Sequence, residues 1–322
     1  MLTVLFFVIS LSALASWFLL LLLIPFLRCY LLDQPNERSS HILAVPRGGG
    51  LSFVLVATFT SFFVWFFGLG TTSVSFIFFR GSIVIFLLAV VGLIDDRYSL
   101  PASFRYCIQF LTASCLVFLS PLPLNWLVIF LSVFFVTAII NFANFMDGLD
   151  GLVASCMLVA ISALAIKFSA PLPIWSLVGA LFGFLYWNWS PAKVFMGDVG
   201  STFLGAIYAY LVFQASTWWD ALCMFLVLTP LFADACLCVI RRLLAGQSVF
   251  KPHRLHLYQR LHQAGFSHSS VCLIYILATF TLALAMFFGG LSWVIIFSAF
   301  EIFLGILLDQ FVAVPFLLAS RN

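Results

Sequence analysis

Charged residues are scarce in this sequence. Among its 322 residues there are 14 Lys or Arg and 11 Asp or Glu, together 8% of the chain, whereas about a quarter of the residues in an average soluble protein are charged. So few charges cannot cover a surface that faces water. This shortage excludes a soluble globular domain, a disordered chain and a nucleic-acid-binding protein.

Cysteine pairs with metal-ligand spacing are also lacking. The eight cysteines form no Cys-x-x-Cys pair, and most of them lie inside apolar segments. Isolated cysteines of this kind are typical of small core residues. The sequence therefore predicts neither a disulfide framework nor a cysteine metal cage.

Apolar residues are abundant instead, at 64% of the chain with 40 Phe, and the mean hydropathy is +1.21. A transmembrane helix needs about 20 mostly apolar residues. Short polar or Pro/Gly breaks divide the chain into about eleven such segments, near residues 2–27, 48–68, 74–94, 106–121, 124–143, 152–168, 174–189, 200–217, 219–240, 270–289 and 291–314. The sequence predicts an all-α polytopic membrane protein in which residues 1–322 form a single transmembrane catalytic domain.

The basic residues indicate how these spans are oriented. With eleven spans, one face of the membrane carries 12 of the 14 Lys and Arg residues, and the other carries only Arg80 and Lys167. By the positive-inside rule the first face is cytoplasmic, and the N-terminus lies outside. Seven acidic residues fall on the same face: Asp33, Glu37, Asp95, Asp96, Asp147, Asp150 and Asp198. Carboxylates contribute little to topology, so their clustering predicts a functional site on the cytoplasmic face.

The first polar segment, residues 33–50, contains Arg38, His41 and Arg47 and ends in three glycines. Backbone N–H groups of a glycine-rich turn at a helix start can bind an anion, and arginine pairs with phosphate. The alternative is a solvated loop with a glycine hinge.

Two adjacent acids, Asp95 and Asp96, end the third segment and precede Arg97. Neighbouring like charges raise the free energy of double ionisation, so such a pair indicates a shared metal ion or proton. The alternative is an ordinary charged helix end in which Arg97 is the partner.

Four polar residues, Asn141, Asn144, Asp147 and Asp150, recur every three residues at the end of the fifth segment. The first three fit one arc of a helix. Amides and carboxylates at the end of an apolar span would be costly if they met only lipid. The series therefore predicts a polar site, with a simple polar helix terminus as the alternative.

Asp198 directly precedes the eighth segment and has glycines on both sides. A helix N-cap role alone would explain it. A carboxylate beside the positive end of a helix can also hold a divalent cation that bridges phosphate oxygens, and the flanking glycines favour a closely bound ligand.

The longest loop follows the ninth segment and contains His253, Arg254 and His256 among several basic residues. This composition predicts either phosphate binding or a juxtamembrane loop that rests on anionic lipid. Zinc is not predicted, because it needs more nitrogen or sulfur ligands than the loop has. Asp234, on the preceding span, is a candidate for supporting the site, and Glu301 has no evident partner.

Five segments in this order, PNERSSH with PRGGG, GLIDDR, NFANFMDGLDG, FMGDVGS and HRLHLYQRL, cover the chain from about residue 33 to residue 261. Together they resemble the motifs of the polyprenyl-phosphate N-acetylhexosamine-1-phosphate transferases, the glycosyltransferase 4 superfamily of integral membrane enzymes. PRGGG and the HRLHLYQRL ending are more similar to the branch that initiates O-antigen and enterobacterial antigen than to the peptidoglycan branch. That ending is similar to initiators that use 6-deoxy sugars such as N-acetylfucosamine or N-acetylquinovosamine, and the donor sugar stays open.

This resemblance implies transfer of an N-acetylhexosamine 1-phosphate from a UDP-sugar to undecaprenyl phosphate, with release of UMP and with Mg²⁺ or Mn²⁺ as the metal. It implies an enzyme of the bacterial inner membrane that acts in O-antigen or related polysaccharide synthesis. The expected partners are the UDP-N-acetylhexosamine, undecaprenyl phosphate, membrane lipid and, as one option, a second copy in a homodimer; nucleic acid is not one of them.

The resemblance also implies roles for individual residues. Asp198 and Asp147 correspond to metal ligands, and Phe195 corresponds to an aromatic residue next to the uracil. Asp95, Asp96, Asp147 and Asp150 are the expected catalytic acids. The expected substrate-binding residues are Arg38, His41, Asn141, Asn144, Phe195, His253, Arg254 and His256.

A multispan transporter or flippase of lipid-linked sugars is the alternative function. Transporter sites usually lie near the bilayer midplane, with ionisable groups or broken helices there. Here the ionisable groups lie at one interface, and only Glu301 is deep in a span. The sequence therefore favours the transferase.

Overall fold

The computed structural model describes residues 2–34, 44–69, 72–248 and 253–320. Its helices are α1 (Leu2–Tyr30), α2 (Leu51–Phe66), α3 (Thr72–Tyr98), α4 (Ala102–Phe118), α5 (Trp126–Phe145), α6 (Leu152–Lys167), α7 (Leu172–Asn188), α8 (Asp198–Phe213), α9 (Trp218–Leu226), α10 (Thr229–Leu244), α11 (Leu257–Gln263), α12 (His268–Phe311) and α13 (Phe316–Ala319). Two short strands, β1 (Leu32–Asp33) and β2 (Val45–Pro46), pair antiparallel with Leu32 opposite Pro46. The predicted all-α polytopic membrane fold is confirmed.

Not every helix is long enough by itself to cross a bilayer. In the described part of the chain, α1, α3 from Phe76 onward, α5 and α12 are long and apolar enough, and the bent pair α9 and α10 counts as a fifth span. Five other apolar helices, α2, α4, α6, α7 and α8, have 16 or 17 residues. Their length of about 24–26 Å is below the roughly 30 Å of a bilayer core. The number of eleven spans therefore stays a prediction.

The ninth predicted segment, residues 219–240, is not one continuous helix. It consists of α9 and α10, which meet at an angle of 81°. Pro230 lies in the first turn of α10, where its missing N–H costs least. A continuous helix would place this proline in its interior, so the proline favours the break.

The last two predicted segments form α12, which is broken at Gly290 (φ +62°, ψ −156°). Arg260 precedes the start of α12, and it exchanges hydrogen bonds with Val314, beyond the other end, at 2.9 and 3.3 Å. A straight helix of 44 residues would be about 66 Å long. The two halves of α12 therefore fold back on each other at Gly290, whose positive φ favours glycine.

Helix α8 lies at the centre of the bundle. All of its residues after Asp198 are buried, as expected for a helix that is apolar on every side, and it packs against α3 and α5. Large apolar side chains on the outside, such as Phe6, Trp126 and Phe288, are exposed. Such a surface fits contact with lipid.

Polar helix ends meet at one end of the bundle. The C-terminal end of α3 contacts the start of α4 through Asp95 and Arg105 and the start of α8 through Asp96 and Asp198. The end of α5 reaches α8 where Asn144 donates to Ser201, and the start of α6 reaches the end of α7 where Gly151 donates to Asn188. Alternating chain direction thus brings most of the predicted motifs together.

The glycine-rich turn before α2 is a backbone packing contact with the segment before α8. The N–H groups of Gly49 and Gly50 donate to the carbonyls of Phe195 and Met196, both at 2.9 Å. A Cβ atom on Gly50 would lie 2.4 Å from the Cα atom of Gly200. These two N–H groups are therefore not available to an anion, and glycine is needed because the two backbones touch.

We expect Gly50→Ala to destabilise the protein by about 1–3 kcal/mol or more, because the added methyl group has no space without a backbone shift. Gly305→Ala, in α12, is the matched control: its nearest neighbour would be Leu257 at 4.0 Å, and alanine favours a helix over glycine. Thermal unfolding in detergent measures both variants. A Gly50→Ala protein as stable as the wild type would contradict the packing role.

Candidate active site

A cavity of about 290 Å³ opens at the polar end of the bundle, between α3, α4, α5, α8 and the segment before α11. Six of the predicted site residues line it: Asp95, Asn141, Asn144, Asp198, His253 and His256. They come from four regions that are far apart in the sequence. The convergence of these polar groups in one cavity makes it the candidate active site.

Arg105 joins two of the cavity's acids. Its Nη1 atom lies 2.9 Å from Oδ2 of Asp95 and 3.8 Å from Oδ2 of Asp198. The other oxygen of Asp95 accepts a hydrogen bond from the N–H of Leu100 at 2.6 Å. Arg97, the alternative partner expected from the sequence, instead donates to the backbone carbonyl of Tyr30.

Asp96 holds the start of α8. Its two carboxylate oxygens accept hydrogen bonds from the N–H groups of Asp198 at 3.0 Å and Val199 at 3.3 Å. A carboxylate in this position satisfies free N–H groups and the positive end of the helix dipole. The Asp198 side chain is therefore not needed as a cap and is free to face the cavity.

The end of α5 supplies two amides to the cavity. Asn141 donates to Oε1 of Gln109 at 2.7 Å, and Asn144 donates to the Ser201 hydroxyl at 3.1 Å. The helix ends at Phe145, so the three-residue series does not continue beyond that point on the same helix face.

Asp147 and Asp150 follow this helix end, and neither lines the cavity. Burial raises the pKa of Asp147 to about 7, and the negative charge of Asp198 adds to this effect. Asp150 instead pairs with Nδ1 of His268 at 3.2 Å and accepts from the N–H of Ala192 at 3.1 Å. Asp150 thereby joins the loop before α6 to the segment after α7 and to the start of α12, which indicates a role in holding these segments together.

The two histidines of the cavity stack, with ring centroids 5.0 Å apart. Burial lowers the pKa of His253 to about 3, and the charge of His256 adds to this shift. Burial acts in the same direction on His256, but the carboxylate of Asp234 outweighs it and raises the pKa of His256 to about 9. At neutral pH the pair therefore has one neutral and one charged ring.

Asp234 positions residues 253–256, the segment before α11 that carries the two histidines and is called the histidine segment below. Its Oδ1 atom lies 3.6 Å from Nδ1 of His256 and accepts from the N–H of Leu257 at 2.7 Å. Its Oδ2 atom accepts from the N–H of Tyr258 at 3.1 Å and from the Tyr275 hydroxyl at 2.7 Å. This geometry agrees with the supporting role expected from the sequence.

Four predicted substrate-binding residues are not seen at the cavity. Phe195 and Arg254 are not among its lining residues, and the backbone of Phe195 is bonded to Pro46 and Gly49. Arg38 and His41 lie outside the described residues. The structure therefore brings together only part of the predicted set of substrate-binding residues.

Oxygen donors at the cavity suit a hard cation such as Mg²⁺. Asp95 and Asp198 both lie within 4 Å of the guanidinium of Arg105, and two carboxylates this close to one another favour a shared cation or proton. Among the described residues, the acids do not form a group of three close ligands; such a group occurs at Cys238, His253 and His256. Mg²⁺ usually takes only one or two carboxylates, together with substrate phosphates and water, so these acids fit it.

A larger cavity of about 420 Å³ lies between α10 and the two halves of α12. Its walls are mostly apolar, and both carboxylate oxygens of Glu301 are buried there without a hydrogen bond to any described residue. Neither the Asp95–Asp96 pair nor Asp198 lines it. The larger volume of a cavity therefore does not by itself identify the active site.

Much of the chain matches known proteins. Residues 78–216, which include the acids of the cavity, match the family model described as "Glycosyl transferase family 4". A "Probable undecaprenyl-phosphate N-acetylglucosaminyl 1-phosphate transferase" of Bacillus subtilis (strain 168) is 30% identical, over 87% of this chain and 83% of that protein.

Two other relatives carry different names. A "Decaprenyl-phosphate N-acetylglucosaminephosphotransferase" of Mycobacterium leprae (strain TN) is 31% identical, over 74% of this chain and 72% of that protein. A "Phospho-N-acetylmuramoyl-pentapeptide-transferase" of Streptococcus gordonii (strain Challis) is 29% identical, over 69% of this chain and 75% of that protein.

We expect Asp150→Asn to lower stability at neutral pH by about 1–3 kcal/mol, because the close contact between the Asp150 carboxylate and His268 is lost. Burial would raise the pKa of Asp150, but the contact with His268 outweighs burial and holds this pKa below the ordinary 3.8. The contribution is therefore present above pH 3.8 and is lost as the pH falls through the lowered pKa. A double-mutant cycle with His268→Asn, followed by thermal unfolding, measures the coupling; additive losses would contradict it.

Proposed function

The chain belongs to glycosyl transferase family 4, the polyprenyl-phosphate hexosamine-1-phosphate transferases, and we propose that it transfers an N-acetylhexosamine 1-phosphate from a UDP-sugar to undecaprenyl phosphate. UMP is the second product. The observation that carries this proposal is the cavity in which Asp95, Asp198 and Arg105 meet two histidines. As in the branch that the PRGGG and HRLHLYQRL segments resemble, the product would be the first lipid-linked intermediate of O-antigen or a related polysaccharide.

Phosphoryl transfer depends mainly on positioning and on neutralising charge. The cavity offers positive charge from Arg105 and from His256, whose charge Asp234 maintains. Hydrogen-bond donors come from Asn141 and Asn144. In this proposal these groups hold the donor diphosphate and the acceptor phosphate side by side.

Asp198 would hold the metal in this proposal, with Asp95 close by. Asp147, which does not line the cavity, is the second metal ligand that the resemblance implies. A bound Mg²⁺ supplies neutralisation of the negative charge that develops on the diphosphate oxygens. The chain's own contribution is a fixed position for the carboxylate of Asp198. The two hydrogen bonds from the start of α8 to Asp96 support this function, because they hold the backbone of Asp198 in place.

A direct attack by the acceptor phosphate fits the cavity better than a covalent intermediate on an aspartate. The second pKa of a phosphate monoester is about 6, so much of the acceptor is a dianion at neutral pH and needs little help from a base. All four carboxylate oxygens of Asp95 and Asp96 already accept hydrogen bonds. We therefore assign these acids to positioning in a single displacement.

The charge distribution supports a cytoplasmic location for the reaction. We assign the polar end of the bundle to the cytoplasmic face of the inner membrane and the N-terminus to the outside, because Lys and Arg residues concentrate at the polar end. The donor is a soluble nucleotide sugar, which this face can receive directly. We further propose that residues 1–322 form a single transmembrane catalytic domain, which acts alone or as a homodimer.

The metal-site prediction is tested with Asp198→Asn, which keeps the shape of the side chain and removes its charge. With Mg²⁺, undecaprenyl phosphate and a panel of UDP-sugars, we expect UMP release to fall about 10²–10³-fold or more, while thermal stability is retained. Asp220→Asn, at the exposed start of α9, is the matched control and should keep wild-type activity. Normal turnover by Asp198→Asn at low magnesium would overturn the assignment.

The phosphate-binding prediction is tested with His253→Ala, because this half-buried side chain lines the cavity and makes few structural contacts. If the histidine segment binds the donor diphosphate, UMP release should collapse in defined detergent. If it only rests on anionic lipid, turnover should hardly change and vesicle association should weaken slightly. His262→Ala, on α11 outside the cavity, is the control.

A further inference from the structure

Cys238, His253 and His256 come together at one wall of the candidate active site. Their possible ligand atoms all lie within 4.8 Å of one another. Cys238 belongs to α10, whereas the histidines belong to the segment before α11. The loop alone has too few nitrogen and sulfur ligands for zinc, and the third ligand is supplied by the helix that precedes the loop.

Burial and hydrogen bonding distinguish this cluster from a chance contact. Cys238 is 4% exposed and His256 is 3% exposed. Nδ1 of His256 is buried and makes no hydrogen bond to any described residue, although Oδ1 of Asp234 lies 3.6 Å away. With Nδ1 facing this carboxylate, the ring would offer Nε2 to a metal ion. A metal-bound histidine whose other ring nitrogen faces a carboxylate is a common arrangement in metal sites.

We propose that Cys238, His253 and His256 form a binding site for a borderline divalent cation of the Zn²⁺ class, with Asp234 orienting His256. Zinc binds nitrogen and sulfur at about 2.0–2.3 Å in tetrahedral sites, so two ligands of one ion lie roughly 3.3–3.8 Å apart. The three side chains would therefore move together by about 1 Å when the ion binds. One thiolate and two imidazoles select a softer cation than the oxygen donors at Asp198 do.

The site leaves one coordination position toward the cavity, because both histidines line its wall. Three protein ligands with an open fourth position can bind water or an anionic oxygen. An occupied site would also tie the histidine segment to α10. A bound cation would displace the proton that His256 otherwise carries, and it would supply the positive charge that this histidine offers to phosphate in the proposed function. The test of the metal site needs no substrate.

The test is a Co²⁺ titration of the purified full-length protein in detergent, after treatment with a chelator. We expect one equivalent of Co²⁺ to produce the near-ultraviolet absorption of a cobalt–thiolate bond, and Zn²⁺ but not Mg²⁺ to abolish it. Cys238→Ser should lose this band. Cys236→Ser is the matched control, since Cys236 lies two residues away on the same helix and outside the cluster, and it should keep the band.

A second measurement needs no variant. Zinc X-ray absorption of the wild-type protein loaded with one equivalent of Zn²⁺ should show one sulfur and two imidazole ligands. Absence of a thiolate band in the wild type, persistence of the band in Cys238→Ser, its loss in Cys236→Ser, or a zinc shell without sulfur would each overturn the proposal.

Discussion

The hydrogen bonds to the carboxylates of Asp95 and Asp96 are the interaction on which the site depends. One acid binds Arg105 and the turn before α4, and the other binds the first N–H groups of α8. These bonds join the ends of three helices at a single point. They also place Asp198 at the cavity, because its own backbone N–H is one of the donors. A pair of acids that looks like reactive groups in the sequence is thus also a structural junction.

The membrane explains why this junction is so fully bonded. Charges inside an apolar bundle are costly unless they have partners, and this chain has few charges to use. The arrangement at the histidine segment follows the same rule, since Asp234 accepts three hydrogen bonds and also faces His256. Glu301 departs from this rule: both its carboxylate oxygens are buried in the larger, mostly apolar cavity without a hydrogen bond to any described residue.

Local patterns predicted the helices and much of the cavity, whereas pairings between distant residues could not be predicted. Apolar segment lengths located the helices to within a few residues, and polar residues at segment ends marked six members of the cavity. Arg105 was not singled out, because only the turn between α3 and α4 brings it to Asp95. The contact of Asp96 with Asp198 spans 102 residues. Nor does spacing show that Gly50 packs on Gly200 or that Cys238 reaches the histidines.

The central claim is that the two acids position groups and form no covalent bond with the sugar phosphate. The most direct test incubates the enzyme with Mg²⁺ and the UDP-sugar that it uses, without any lipid acceptor, and measures UMP on the time scale of one turnover. Single displacement predicts no UMP above background and no exchange of labelled UMP into the UDP-sugar until undecaprenyl phosphate is added. A burst of UMP stoichiometric with the enzyme, or such exchange, would contradict it.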